Sequence, residues 1–163
     1  KWVGERRSKR VMTFKRAVHV VVQLAGACRE GLQAFRACDR GRVLCAKPRR
    51  LKGSINMDDA LVGTHPQDPR WDYGLGYYNG RSEEAIWIEV HPASSDHVSG
   101  VIRKAEWLRA WLRANAVELL NITGDDGYVW LSAGSVSLQR SSRQARQLAQ
   151  AGVSFPRKRL ELQ

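Results

Sequence analysis

The sequence predicts a single α/β (α+β) domain. Its centre is a mixed sheet containing a β-hairpin, flanked by two long helices in the order α-β-β-β-α-β. Three observations predict it. Asn79-Gly80, the strongest short hairpin signal, joins two alternating apolar runs. Stretches with apolar residues at spacings of three and four stand on either side of that hairpin. A third strand-like run, YVWLSA, follows the second such stretch. A chain of 163 residues suits one domain that can bury a core without staples.

The first helix is expected over about 13–37. Phe14, Val18, Val21, Val22, Ala25, Cys28, Leu32 and Phe35 would line one face, and Thr13 would cap the N-terminus. CDRGR ends it, and a short strand-like segment, Val43–Cys45, follows. KPRRLKG then reads as a loop or an exposed edge strand. In SINMDDAL, Ser54 or Asn56 is placed to cap a short helix over Met57–Leu61, and GTHPQDP is a loop.

Trp71–Tyr78 forms the first arm of the hairpin, and its two glycines mark a bend or a close backbone approach. Ala85–His91 forms the second arm. Ser94 or Ser95 then caps a helix of about five turns, with Val98, Val101, Ile102, Ala105, Leu108, Trp111 and Leu112 on its apolar side. GDDG is a turn, and Tyr128–Ala133 is a strand that continues through Gly134–Leu138 or turns there into a short partner. Ser142–Ala151 is a basic helix closed by Gly152, and SFPRKRLELQ is a basic tail with room for a terminal strand. The domain divides into a basic lead-in (1–13), a core (14–138) and a C-terminal helix and tail (139–163).

Charge narrows the class of partner. The formal net charge is +11, unevenly spread. Residues 1–52 carry fifteen Lys/Arg against three Asp/Glu; residues 53–100 carry two against eight; residues 101–163 carry ten against five. Basic flanks around an acidic middle suggest a polyanion-binding surface with a carboxylate patch between its arms. Arg49, Arg50 and Lys52 in the loop, Arg140, Arg143 and Arg146 along the late helix, and Arg157 and Lys158 in the tail are the candidate nucleic-acid contacts, with Arg6, Arg7, Lys9 and Arg10 in the lead-in. No apolar run is long enough to span a bilayer, so no membrane partner is expected. The lead-in lacks the apolar segment of a signal peptide, and three cysteines without CxxC spacing fit a reducing cytoplasm.

Several catalytic templates are excluded: the sequence holds no GxSxG, no GxxxxGK[ST] and no GxGxxG opening a helix. What remains is the hairpin. In IWIEVHPAS, Glu89 and His91 lie two apart and so share a strand face with Trp87. Pairing across Asn79-Gly80 sets Asp72 opposite Glu89 or His91 on that same face, with opposed Cβ atoms about 5 Å apart. Two carboxylates with a further donor suit a hard divalent cation, Mg²⁺ or Mn²⁺, able to polarise a phosphodiester and activate water. Asp58-Asp59, His65 and His97 have simpler expectations: helix-dipole stabilisation for the acids and solvated positions for the histidines.

The element order and the spacing Asp72…Glu89-x-His91 resemble the core of the PD-(D/E)xK nuclease superfamily over roughly residues 14–133. The resemblance implies that Asp72 and Glu89 are the metal-binding acids, separated by sixteen residues of hairpin. Pro69 stands three residues before Asp72, and His91 occupies the position of the motif's lysine. His91 is then a ligand or a general base. Lys104, on the next helix, is the candidate for a migrated lysine, and Glu30 for the acid some members supply from the first helix. On this reading the chain is a nucleic-acid-binding protein with a nuclease-like core, a Mg²⁺- or Mn²⁺-dependent phosphodiesterase acting on DNA or RNA. The alternative is a non-catalytic nucleic-acid-binding or partner subunit that keeps only the fold.

Overall fold

Asn79 folds Tyr73–Tyr78 (β3) back onto Glu83–Ala93 (β4), its side-chain oxygen accepting from the N–H groups of Arg81 (2.9 Å) and Ser82 (3.1 Å). The register pairs Tyr73 with Ile88 and Gly74 with Trp87, which sets Asp72 against Glu89 one step further along. Both glycines of β3 are close-approach positions. A Cβ on Gly74 would lie 2.6 Å from the Trp87 ring, and one on Gly76 would lie 2.4 Å from Phe14. The computed structural model describes residues 11–163, so the lead-in cluster at Arg6, Arg7, Lys9 and Arg10 lies outside the described residues.

The hairpin forms the middle of a four-stranded sheet. Leu51–Asn56 (β2) pairs antiparallel with β3 on one side, and Thr123–Val136 (β5) pairs parallel with β4 on the other. The parallel pair is joined by Val98–Asn115 (α4) and Val117–Asn121 (α5), the crossover that parallel strands require. A separate parallel pair joins Val43–Cys45 (β1) to the terminal strand Leu160–Leu162 (β6). The fold is therefore a mixed α/β single domain with a mixed four-stranded sheet.

Period-2 alternation gives the sheet two buried faces. On one side Trp87, Trp130 and Tyr128 pack with Phe14, Trp71 and the buried stripe of α4, which includes Val101, Ala105, Leu108 and Leu112. On the other side Leu75, Tyr77, Ile86, Ile88, Val129 and Leu131 pack with Phe35, Val43 and Leu160.

The first long helix does not form. Phe14–His19 (α1) is capped by Thr13, as its sequence suggests, but it stops after six residues. A 3₁₀ turn at Val22–Leu24 and a short helix at Ala37–Arg40 (α2) follow. Val20, Val21 and Val22 are consecutive β-branched residues, which are stiff at χ1 and weak in helices. Gly26 and Gly31 then take left-handed φ values of 72° and 51°, which turn the chain out of helical geometry. The segment instead wraps the β2 edge. Arg29 and Ser54 exchange both backbone hydrogen bonds there (2.9 and 2.8 Å). Phe14 thus packs on the helix side of the sheet, while Phe35 stacks on Tyr73 across the opposite face, with centroids 4.1 Å apart.

Other elements need smaller corrections. KPRRLKG divides into a 3₁₀ turn, Pro48–Arg50, and the start of edge strand β2. Asn56, not Ser54, caps Met57–Leu61 (α3), accepting from the Asp59 N–H at 3.0 Å. Ser95–His97 is a 3₁₀ turn that leads into α4, and no serine side chain caps that helix. GDDG is not a turn between elements. It loops out of β5, where the two-residue step from Ala85 to Trp87 on β4 faces the five-residue step from Thr123 to Tyr128. Ser142 caps Arg143–Gln150 (α6) as its sequence suggests.

Candidate active site

Glu89 sits in the middle of β4 facing α4, because it shares parity with Trp87 and Ala85 on the helix side. It has no solvent exposure, in a strand otherwise filled by apolar residues. A buried carboxylate needs partners, and Glu89 has two donors with a histidine standing near. The Asp72 N–H donates to Oε2 at 3.0 Å, the Lys104 ammonium donates to Oε1, and His91 Nδ1 stands 3.9 Å from Oε1. Asp72 returns the bond across the hairpin end, accepting from the Val90 N–H through Oδ2 at 2.9 Å. The opposed pair is locked by two side-chain-to-backbone bonds as well as by register.

Lys104 comes from the second turn of α4, with Val101 and Ala105 buried beside it. The helix lies across β4 and carries the lysine stem down to Glu89, while the side chain remains 26% exposed. Asp72, Glu89, His91 and Lys104 are thus brought together from three elements. Lys104 occupies a place from which its cation faces the carboxylates, although it lies far from the hairpin in sequence.

Burial, and then the neighbouring Asp72 carboxylate, push Glu89 up to about 8, against the opposing pull of Lys104. Asp72 is also raised, chiefly by burial, with the Val90 N–H and Lys104 pulling the other way. His91 is lowered by burial and by the positive charge of Lys104, so near neutral pH its imidazole is uncharged. Its Nε2 lies 2.9 Å from Nδ1 of His97, and its carbonyl accepts from the Trp130 indole N–H at 3.1 Å. The sequence reading leaves His97 as a solvated helix-start residue. Its contact with His91 arises from the 3₁₀ turn after β4, and no spacing rule signals it.

The carboxylate pair is chemically suited to one hard cation. Asp72 and Glu89 would hold it, and Oδ1 of Asp72 has no hydrogen-bond partner among the described residues. Mg²⁺ is commonly bound by one or two carboxylates, with water and phosphate oxygens completing its sphere. Among the described residues no group of three or more His, Cys, Asp or Glu side chains is placed to hold a metal ion. Water and substrate would therefore supply the remaining ligands.

Other candidates lie elsewhere. Glu30 is exposed and pairs with Lys15 at 2.5 Å. It cannot extend the site, because the helix expected to carry it gives way to the wrap around β2. Asp58 is held by Arg70 Nε at 2.9 Å, Asp59 faces Arg36 at 3.6 Å, and His65 pairs with Asp68 and packs edge-on against Trp107. Trp111 is core.

The basic candidates fall into three places. Arg49, Arg50 and Lys52 lie by the hairpin turn, with Leu51 paired to Tyr77 and Arg50 close to Gly80, at the opposite end of the hairpin from Glu89. Arg143 and Arg146 are exposed on α6, and Arg140 stacks over Phe155 at 4.3 Å. Arg157 bridges Leu131 of β5, and Lys158 follows it into solvent. No helix among the described residues is long and apolar enough to cross a membrane. In comparisons with family models, curated proteins and solved structures, the chain matches none.

Proposed function

We propose that this chain is a nucleic-acid-binding protein with a divalent-metal-dependent phosphodiesterase centre formed by Asp72, Glu89 and Lys104, and that it acts in the cytoplasm. The observation that carries the reading is the meeting of Lys104 with a fully buried Glu89 that Asp72 opposes across the hairpin. Packing alone does not call for that arrangement, since apolar residues of like volume would fill the space without a desolvation penalty. The run hairpin β3-β4, helix α4, strand β5, with β4 and β5 parallel and the acids at the hairpin, supports a PD-(D/E)xK-like core.

Mg²⁺ or Mn²⁺ at this pair would polarise the phosphodiester and lower the pKa of an attacking water. Asp72 and Glu89 supply the oxygens, each oriented by a backbone N–H. Lys104 keeps positive charge beside the carboxylates and faces the place where negative charge develops on a phosphate oxygen. His91, its ring held at Nε2 by His97 and its backbone carbonyl by the Trp130 indole, offers Nδ1 as the proton acceptor.

The test uses labelled DNA duplex and single-stranded RNA, with Mn²⁺ or with EDTA. The expected result is Mn²⁺-dependent cleavage by the wild type, abolished in Asp72→Asn, Glu89→Gln and Lys104→Ala while binding is kept. Cleavage that survives all three substitutions overturns the assignment of the centre. One observation favours a second reading, that of a non-catalytic nucleic-acid-binding subunit: both oxygens of Glu89 are already engaged by internal donors. Salt-dependent binding with no cleavage in Mg²⁺ or Mn²⁺ would establish it.

A further inference from the structure

On the far side of β5 from Glu89, a cavity of about 520 Å³ opens between the turn after α2, the end of β5 and the C-terminal tail. Its charged lining residues are all cations: Arg42, Lys158 and Arg159. Arg42 is fixed in place. Its Nε lies 3.3 Å from Asp39 Oδ1 and its Nη1 donates to the Ser132 carbonyl at 2.9 Å, which leaves further guanidinium N–H groups for a ligand. Asp39 is itself held from behind by the Tyr73 hydroxyl at 2.6 Å. Lys158 and Arg159 are exposed and form no ion pair among the described residues. The rim is open at Gly41 and Gly134, where an added Cβ would meet nothing within 4 Å.

The position of this cavity relative to the acid pair is set by strand register. Ser132, whose carbonyl anchors Arg42, pairs with His91, and Glu89 pairs with Trp130. The tail runs along the outer edge of β5, with the Arg157 N–H donating to the Trp130 carbonyl (3.3 Å) and the Ser132 N–H to the Arg157 carbonyl (2.8 Å). The tail backbone at Arg157 is thus two strand spacings from that of Glu89, roughly 10 Å, and the cavity opens beyond it at Gly134 and Ser135, near the carboxyl end of β5. Ligands of open α/β sheets gather at that end.

We propose that this cavity is a phosphate subsite, in which Arg42, Lys158 and Arg159 grip a backbone phosphate of the bound nucleic acid. The inference rests on the nucleic-acid reading above and adds a binding site to it. The fork of Arg42 matches phosphate oxygens, and two unpaired cations at the rim supply the counterion-releasing charge. The site gives register and affinity, not base specificity.

The test measures binding of a fluorescein-labelled 20-base-pair DNA duplex in EDTA across a salt series. The Lys158→Ala/Arg159→Ala double variant is compared with Arg16→Ala/Arg81→Ala, a control that removes the same charge from exposed positions elsewhere. The site variant should weaken binding roughly ten-fold or more and reduce the salt slope by about 1, with the control close to wild type. Ser135→Asp, which sets a carboxylate on the exposed rim, should weaken binding in the same direction. Equal losses in the two double variants overturn the subsite alone. A wild type with no salt-dependent binding overturns both the subsite and the nucleic-acid reading.

Discussion

The Lys104 ammonium meets Oε1 of Glu89 from a helix that begins five residues after the strand carrying the acid ends, and it is the nearest cation to a carboxylate with no solvent exposure. Lys104→Met removes that cation and leaves the acid buried. Breaking a buried pair from one side costs about 3–5 kcal/mol. The loss should be largest near pH 9, where Glu89 is ionised, and smaller near pH 6, where it holds its proton. Urea denaturation at the two pH values checks this. Equal losses at both would mean that the pair carries no charge coupling.

Stability should also depend on pH through Glu89 itself. Its ordinary value is 4.5 and its folded value is about 8, so between them the folded state holds a proton that the unfolded state has released. Stability from this group is complete below about 4.5 and is lost as pH rises through about 8. Asp72, also raised, acts in the same direction. His91, lowered from 6.5, acts in the opposite direction, losing stability as pH falls below that value. Between pH 6.5 and 8.5 the melting temperature should therefore fall for the wild type and change less in Glu89→Gln.

Gly76→Ala places a methyl 2.4 Å from the Phe14 ring, and Gly74→Ala places one 2.6 Å from Trp87. Both rings are fully buried, and the Trp87 indole is tied to Thr123 at 2.9 Å. Neither can withdraw cheaply. Each substitution should cost about 1–3 kcal/mol, seen as a lower urea midpoint with an unchanged slope.

Phe35→Ala tests the wrap around β2. Phe35 is buried and stacked on Tyr73, on the sheet face away from Phe14. Truncation should cost about 3–5 kcal/mol. A cost below 1 kcal/mol would mean that the 26–36 segment does not pack as described.

Much of the candidate site was legible in the sequence. Asn79-Gly80 sets the register, register sets Asp72 against Glu89, and parity sets both towards Trp87. These are local rules with period 2, and they hold because one face of the hairpin is buried. The contact of Lys104 with Glu89 depends on how α4 crosses the sheet, which periodicity does not specify; in the sequence only a resemblance points to it. The first helix departs from its expected span for a physical reason. Phe14, Val18 and Phe35 keep helical spacing, but the spacing counts apolar residues without saying which core receives them. Valines in succession and left-handed glycines decide the local conformation, and the chain supplies both sides of the sheet. The contact between His91 and His97 and the anchoring of Arg42 on Ser132 are long-range or turn-dependent, with no local signature.

The wrap at Ser54 and the tail along Trp130 and Ser132 have a shared effect on how copies of this chain meet. Each outer strand of the sheet already spends backbone donors and acceptors on an irregular segment, Arg29 on one flank and Arg157 on the other. A second molecule approaching either flank finds part of the hydrogen-bonding rail taken. Runaway strand-by-strand assembly, the hazard of any open sheet, is opposed by the chain's own loops at both borders.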